Sequence, residues 1–138
     1  MFNFFKTKKQ KPLDKLSKAL ILENIDNRLN SIKRWHEKTF PDATLAGQLA
    51  KLEEEICESL KVGKKDKAAL FEEIADVLIV CAGLRRFDSK IGISIENNYL
   101  NNATPDILSV IDLAIIQKMN KNRKRKWEKT EDGRFHHI

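Results

Sequence analysis

Leu52-Glu53-Glu54-Glu55-Ile56-Cys57-Glu58-Ser59-Leu60, followed after a lysine-rich break by Phe71-Glu72-Glu73-Ile74-Ala75-Asp76-Val77-Leu78, is the stretch that decides how this chain reads. Each half carries a carboxylate pair three residues apart, Glu55 with Glu58 and Glu73 with Asp76. Residues at that spacing share one face of a helix. The break holds Gly63, suited to end one helix, and Asp66, suited to cap the next. So short a connection sets two helices side by side and antiparallel, and four carboxylates then point into one space. Like charges that close raise one another's pKa or repel. A hard divalent cation resolves the conflict, and Mg²⁺ takes carboxylate oxygens together with phosphate. The competing reading is two solvated acidic helix faces.

The helical wheel bears on that choice. At about 100° per residue, Glu73 and Asp76 share their face with Ala69, Val77, Val80 and Leu84. Most residues from Ala68 to Leu84 are apolar, so this helix is expected to be largely buried, and a buried carboxylate needs a partner. On the preceding helix the apolar stripe is Leu45, Leu49, Leu52, Ile56 and Leu60. Glu55 borders the stripe. Glu58 lies well away from it and is expected to need cover from another surface, such as a second subunit.

Working outward, helical spacing runs from Leu13 to about Lys38 through Leu16, Leu20, Ile21, Ile25, Leu29, Ile32 and Trp35. Phe40-Pro41 ends it, because proline disfavours helix in the residue before it. The second helix is expected from about Thr44 to Lys61 and the third from about Asp66 to Phe87. Residues 88–103, with Gly92 and two Asn pairs, read as a loop with at most a short helical turn. Thr104-Pro105 is a helix start, and Ile107, Leu108, Ile111, Ala114, Ile115 and Met119 line one side of the fourth helix. Asp132-Gly133 and the terminal His136-His137 read as a turn and a tail. No segment reads as a strand. The expected fold is therefore all-α, a four-helix-bundle-like domain over residues 13–138 with short connections, a flexible basic arm over 1–12 and a C-terminal tail.

The fourth helix changes character at its end. Lys118, Asn122 and Arg125 continue the face of Ile107, Ile111 and Ala114, so the core-facing side turns cationic. These donors suit phosphate oxygens. A solvated basic C-terminus favoured by the helix dipole is the alternative.

The 138 residues suit one domain. No apolar run approaches the roughly 20 residues of a membrane span, so no membrane partner is expected. The first residues are interrupted too soon for a signal peptide. Cys57 and Cys81 read as reduced core residues in a cytoplasmic protein. Residues 1–15 and 118–138 hold 13 of the 26 Lys and Arg but 4 of the 20 acids, which makes the ends +9 and the middle −3. Basic ends around an acidic centre suit a nucleic acid, an anionic surface, or a polyphosphate that meets a metal in the middle.

Glu54-Glu55-Ile56-Cys57-Glu58, followed after 14 residues by Glu73-Ile74-Ala75-Asp76, resembles the EExxE…ExxD pattern of the MazG-like, all-α nucleoside triphosphate pyrophosphohydrolases. Trp35…Phe40-Pro41…Gly47 resembles their lead-in. Lys118-Met119…Asn122-Arg123…Arg125…Trp127…Asp132-Gly133…His136-His137 resembles the tail of short members. The resemblance covers about residues 28–138. It implies cleavage of a (d)NTP to the monophosphate and pyrophosphate. It further implies Mg²⁺, with Mn²⁺ as the substitute, held by Glu55, Glu58, Glu73 and Asp76. Glu54 would be an acid or base beside the metal. Lys118, Asn122 and Arg125 would bind phosphate, and Trp127 or Trp35 would stack on the base. The assembly implied is a homodimer or homotetramer.

Two other classes compete. A nucleic-acid or partner-binding helical module accounts for the basic ends but not for core-facing Glu73 and Asp76. A ferritin-like di-iron bundle wants Glu-x-x-His pairs, and His36, the sole histidine outside the tail, has none before it.

Overall fold

The computed structural model describes residues 12–62 and 66–138. Helices α1 (Pro12–Thr39), α2 (Leu45–Val62), α3 (Lys67–Leu84), α4 (Ser89–Leu100) and α5 (Pro105–Asn122) precede a small antiparallel hairpin, β1 (Trp127–Lys129) and β2 (Phe135–His137). The all-α expectation holds, with five helices among the described residues instead of four. The expected arm lies outside the described residues up to position 11, and so does Gly63 in the α2–α3 break.

α3 is the axis of the bundle. Asp66 caps it, accepting from the amides of Ala68 and Ala69 at 3.0 and 3.3 Å. Every residue from Ile74 to Leu84 except Asp76 is buried, and the helix packs against α1, α2, α4 and α5. Ile25, Leu29 and Ile32 of α1 and Leu108, Ile111 and Ile115 of α5 complete the core. α5 starts at Pro105 with Thr104 as its cap, as its sequence predicts. Among the described residues, no helix is long and apolar enough to cross a membrane.

α4 corrects the loop expected over 88–103. Asp88 caps it through the amide of Ile91 at 3.0 Å. The helix buries Tyr99 and Leu100 together with a glutamate, Glu96. A helix whose inward face is partly charged gives a weak apolar period, which is why it reads as a loop. The charge is met by Arg85 at the end of α3. The Arg85 guanidinium clasps both oxygens of Glu96, one through Nε at 2.8 Å, and also donates to Asn30 and Asp26 of α1 at 2.9 and 2.8 Å. One buried arginine thus pins three helices together.

α2 departs from its wheel. Of the expected inward stripe, Leu52 is buried and Ile56 half-buried, while Leu45, Leu49 and Leu60 are exposed. The inward arc is Gly47, Gln48, Leu52, Glu55 and Ser59. Hydrogen bonds fix this roll. Gln48 Nε2 donates to the Val80 carbonyl at 2.8 Å across the α2–α3 contact, and turning the leucines inward would strand that buried pair. The same roll exposes Cys57, contrary to the expectation of a core thiol, while Cys81 is buried as expected.

The chain end is a hairpin, not a tail. Glu131, Asp132 and Gly133 form its loop, closed by the Thr130 amide on the Arg134 carbonyl at 2.7 Å, and Gly133 takes a φ of 86°. Asp132-Gly133 is a hairpin-turn signal, but the three-residue strands on either side carry no alternation to support it.

Candidate active site

α2, α3, the end of α5 and the hairpin enclose a cleft of about 450 Å³. All nine residues singled out from the sequence line it: Glu54, Glu55 and Glu58 from α2, Glu73 and Asp76 from α3, Lys118 and Asn122 from α5, then Arg125 and Trp127. The antiparallel α2–α3 pair brings the two motifs together. The roll of α2 turns Glu58, which stays exposed, toward the cleft, where it meets Glu55 and Glu73 within one chain.

One oxygen from each of Glu55, Glu58 and Glu73 lies within 4.8 Å of the others. Glu55 Oε2 and Glu73 Oε2 are buried without a hydrogen-bond partner. Buried carboxylate oxygens in that state are costly. Burial, then Asp76 and Glu58, push the Glu55 carboxyl up to about 8 against the pull of Lys51. Burial and the same kind of neighbours, Asp76 and Glu58, raise Glu73. Burial also raises Asp76, although Lys118 opposes the shift. Asp76 lies beside these glutamates but outside the group that converges within 4.8 Å, with its Oδ2 3.3 Å from Lys118 Nζ. Three convergent carboxylates, two of them carrying an orphaned oxygen, form a hard donor set that fits Mg²⁺ or Mn²⁺.

Cations face these acids. Lys51 Nζ lies 3.4 Å from Glu55 and 3.6 Å from Glu54. Asn122 Oδ1 accepts from Arg125 Nη1 at 3.1 Å, which turns that guanidinium along the end of α5. Glu54 behaves unlike its neighbour. Burial pushes its carboxyl up, but a hydrogen bond from His136 and the charges of Lys51, His136 and Arg134 outweigh burial and hold it below the usual range.

The far wall is aromatic. Phe40 lies 4.4 Å from Phe135, centroid to centroid, and meets Trp35 and Trp127 edge-on at 5.5 Å each. Trp127 Nε1 donates to the Asn122 carbonyl at 3.4 Å, tying this wall to α5. Behind it, Arg86 Nη1 donates to His36 Nδ1 at 2.9 Å and to the Phe40 carbonyl at 2.8 Å. Arginine only donates, so His36 carries its proton on Nε2 and gives it to Gln48 Oε1 at 3.1 Å. Burial and then Arg86 depress His36 to about 4, so it is neutral. A side chain at Gly83 would strike Gln48 and His36 within 3 Å.

Sequence reasoning missed Lys51, His36, Gln48, Phe135 and the pairing of Arg134 and His136 with Glu54. His136 and His137 were expected in a tail, yet both line the cleft. Only the Asp132-Gly133 turn pair pointed to them.

The cleft thus combines an acidic floor, a cationic rim and an aromatic wall. The chain is similar to a dATP/dGTP diphosphohydrolase of Salmonella phage PMBT28, with 28% identity over 107 residues, or 78% of this chain and 29% of that protein. The chain thus spans less than a third of the relative's length. No family model matches the chain. No solved structure matches it.

Proposed function

We propose that this protein is a MazG-like, metal-dependent nucleoside triphosphate pyrophosphohydrolase, converting a (d)NTP and water to the (d)NMP and pyrophosphate. The observation that carries the reading is the convergence of Glu55, Glu58 and Glu73, with two orphaned oxygens, in the same cleft as Lys118, Asn122 and Arg125. The name of the phage relative adds support for a nucleotide substrate.

Glu55, Glu58, Glu73 and Asp76 would hold Mg²⁺, with Mn²⁺ as the substitute. When bound, the cation supplies counter-charge to phosphate oxygens and a water of lowered pKa. Lys118 and Arg125 donate to phosphate oxygens and stabilise the charge that builds as the anhydride breaks. Asn122 orients Arg125. Trp127 and Trp35 offer faces to the base, and the aromatic wall excludes water from that end. Base at one end and phosphates at the other fix the direction in which a nucleotide lies.

The raised carboxyls make a prediction that separates this site from a merely acidic surface. A group whose pKa is higher in the folded than in the unfolded state stabilises the fold below the unfolded value, and that stability is lost as pH rises through the folded value. For Glu55 the window runs from its ordinary 4.5 to about 8. In metal-free buffer, Tm therefore falls across this window. Mg²⁺, which needs the deprotonated carboxylates, raises Tm markedly at pH 8 and little at pH 5. Differential scanning calorimetry with and without Mg²⁺ at both pH values checks this. An equal or absent Mg²⁺ shift at the two values contradicts it.

The outward stripe of α2 suits a homo-oligomer, since Leu45, Leu49 and Leu60 are 40–46% exposed along one helix face. Sedimentation velocity is expected to report a dimer or tetramer for the wild type and a shift toward monomer for L49K/L60K. A monomeric wild type contradicts the assembly.

A further inference from the structure

We propose that Glu54 is a positioning residue, a clasp that fastens the C-terminal hairpin against α2 so that the hairpin's aromatic side chains wall the cleft. The consequence for substrate rests on the nucleotide reading above; the clasp itself does not. Glu54 Oε2 accepts from Arg134 Nη1 at 3.0 Å and from His136 Nε2 at 3.1 Å. Lys51 Nζ lies 3.6 Å from the same oxygen. An oxygen that accepts two hydrogen bonds with an ammonium 3.6 Å away is poorly placed to take a proton from water.

The hairpin depends on such fastening. Its ladder pairs three residues on each strand, and an isolated two-stranded hairpin is at best marginally stable in water. Its turn rests on the α2 backbone, where a Cβ at Gly47 would lie 2.3 Å from the Gly133 carbonyl oxygen. Lys129 Nζ reaches the Asp42 carbonyl at 3.1 Å in the α1–α2 link. Of these attachments, Glu54 alone sits on the cleft and joins two hairpin side chains. Opening it frees Phe135 from Phe40, while Trp127 keeps its tie to the Asn122 carbonyl, and so loosens one wall of the base end. Loss of a contact made equally to ground and transition states raises KM and leaves kcat.

Hydrogen exchange and steady-state kinetics of E54A, of R134A/H136A and of the triple variant test this. Exchange is read at the Thr130, Gly133 and Ile138 amides, each hydrogen-bonded within the hairpin region. Amides of Leu78 and Ile111 report that the bundle remains folded. E54A and R134A/H136A are expected to speed hairpin exchange to the same degree, and the triple variant to add nothing. With nucleotide, KM rises about tenfold in all three, the size of one lost stacking contact, and kcat stays within about threefold. Unchanged hairpin exchange in E54A overturns the clasp. So does a large fall in kcat for E54A with R134A/H136A unaffected, which would place Glu54 in the chemistry. Exchange needs no nucleotide. A wild type that turns over no nucleotide, with the hairpin opened by E54A, therefore sinks the nucleotide reading and upholds the clasp.

Discussion

Glu73→Gln is expected to lower kcat/KM for nucleotide hydrolysis at least about a hundredfold while leaving the bundle folded. Glutamine keeps the shape of the side chain but replaces one oxygen with a donor and removes the charge. The buried Oε2 that now lacks a partner would no longer attract a cation. Glu55→Gln should act the same way on turnover, and it carries a second signature. In metal-free buffer it removes a carboxylate that burial and its acidic neighbours disfavour. The variant is therefore expected to be more stable than wild type at pH 8, and to lose the stabilisation by Mg²⁺. Lower activity joined to higher metal-free stability is the mark of a site whose strain serves ligand binding. Parallel loss of activity and stability would mean these glutamates hold the fold. Assay of pyrophosphate release alongside thermal melts of both variants decides between the two.

Glu96→Ala is expected to cost about 3–5 kcal/mol of stability, because it leaves a buried guanidinium with its main counter-charge gone. The Arg85 side chain is 5% exposed and that of Glu96 2%. Asp26, whose side chain is 55% exposed, is a weak substitute. The comparison that isolates the cause is R85M/E96L. Removing both charges and keeping the volume is expected to cost far less, and can even stabilise, because the pair is desolvated as well as attracted. Urea denaturation of the two variants measures the difference. Equal losses would show that packing of α4, not the uncompensated charge, carries the effect. Neither variant touches the cleft, so turnover by the folded fraction should match wild type.

The readable and unreadable parts of this chain divide along one physical line. α3 is legible because nearly every residue from Ile74 inward is apolar and Asp66 announces its start. α5 is legible from Thr104-Pro105 and its isoleucines. Each carboxylate pair is legible because its three-residue spacing keeps both members on one helix face, but that the α2 pair meets the α3 pair depends on the roll of α2. α2 misleads because two faces compete on it, a leucine stripe and a polar arc, and the wheel assumes that the apolar one turns inward. Here Gln48 and Glu55 take the inner side and Leu49 and Leu60 stay out. α4 is hidden for a related reason. Its buried Glu96 is satisfied by Arg85, a residue 11 positions back, and pairing at that distance leaves no local pattern. The hairpin is hidden by its length, since strands of three residues carry almost no alternation to detect. Its role in the cleft depends on contacts to Phe40, Gly47 and Glu54 more than 75 residues away in sequence.

These misses fall where the candidate site is most particular. The acids and the cations at and beyond the end of α5 that the sequence singles out line one cleft. The parts that bind them into one cleft, Lys51, the neutral His36–Gln48 pair and the strap formed by Arg134 and His136, come from tertiary contacts. A site can depart from the consistency that makes cores predictable, and this one does so with two orphaned carboxylate oxygens and a polar helix face turned inward.

The most direct measurement is product analysis over the eight common NTPs and dNTPs with Mg²⁺, scoring pyrophosphate and orthophosphate separately, with Glu73→Gln and Asp76→Asn run beside the wild type. Pyrophosphate and the matching monophosphate from wild type, and from neither variant, is the predicted result. Orthophosphate without pyrophosphate, or equal release by wild type and both variants, would contradict the account.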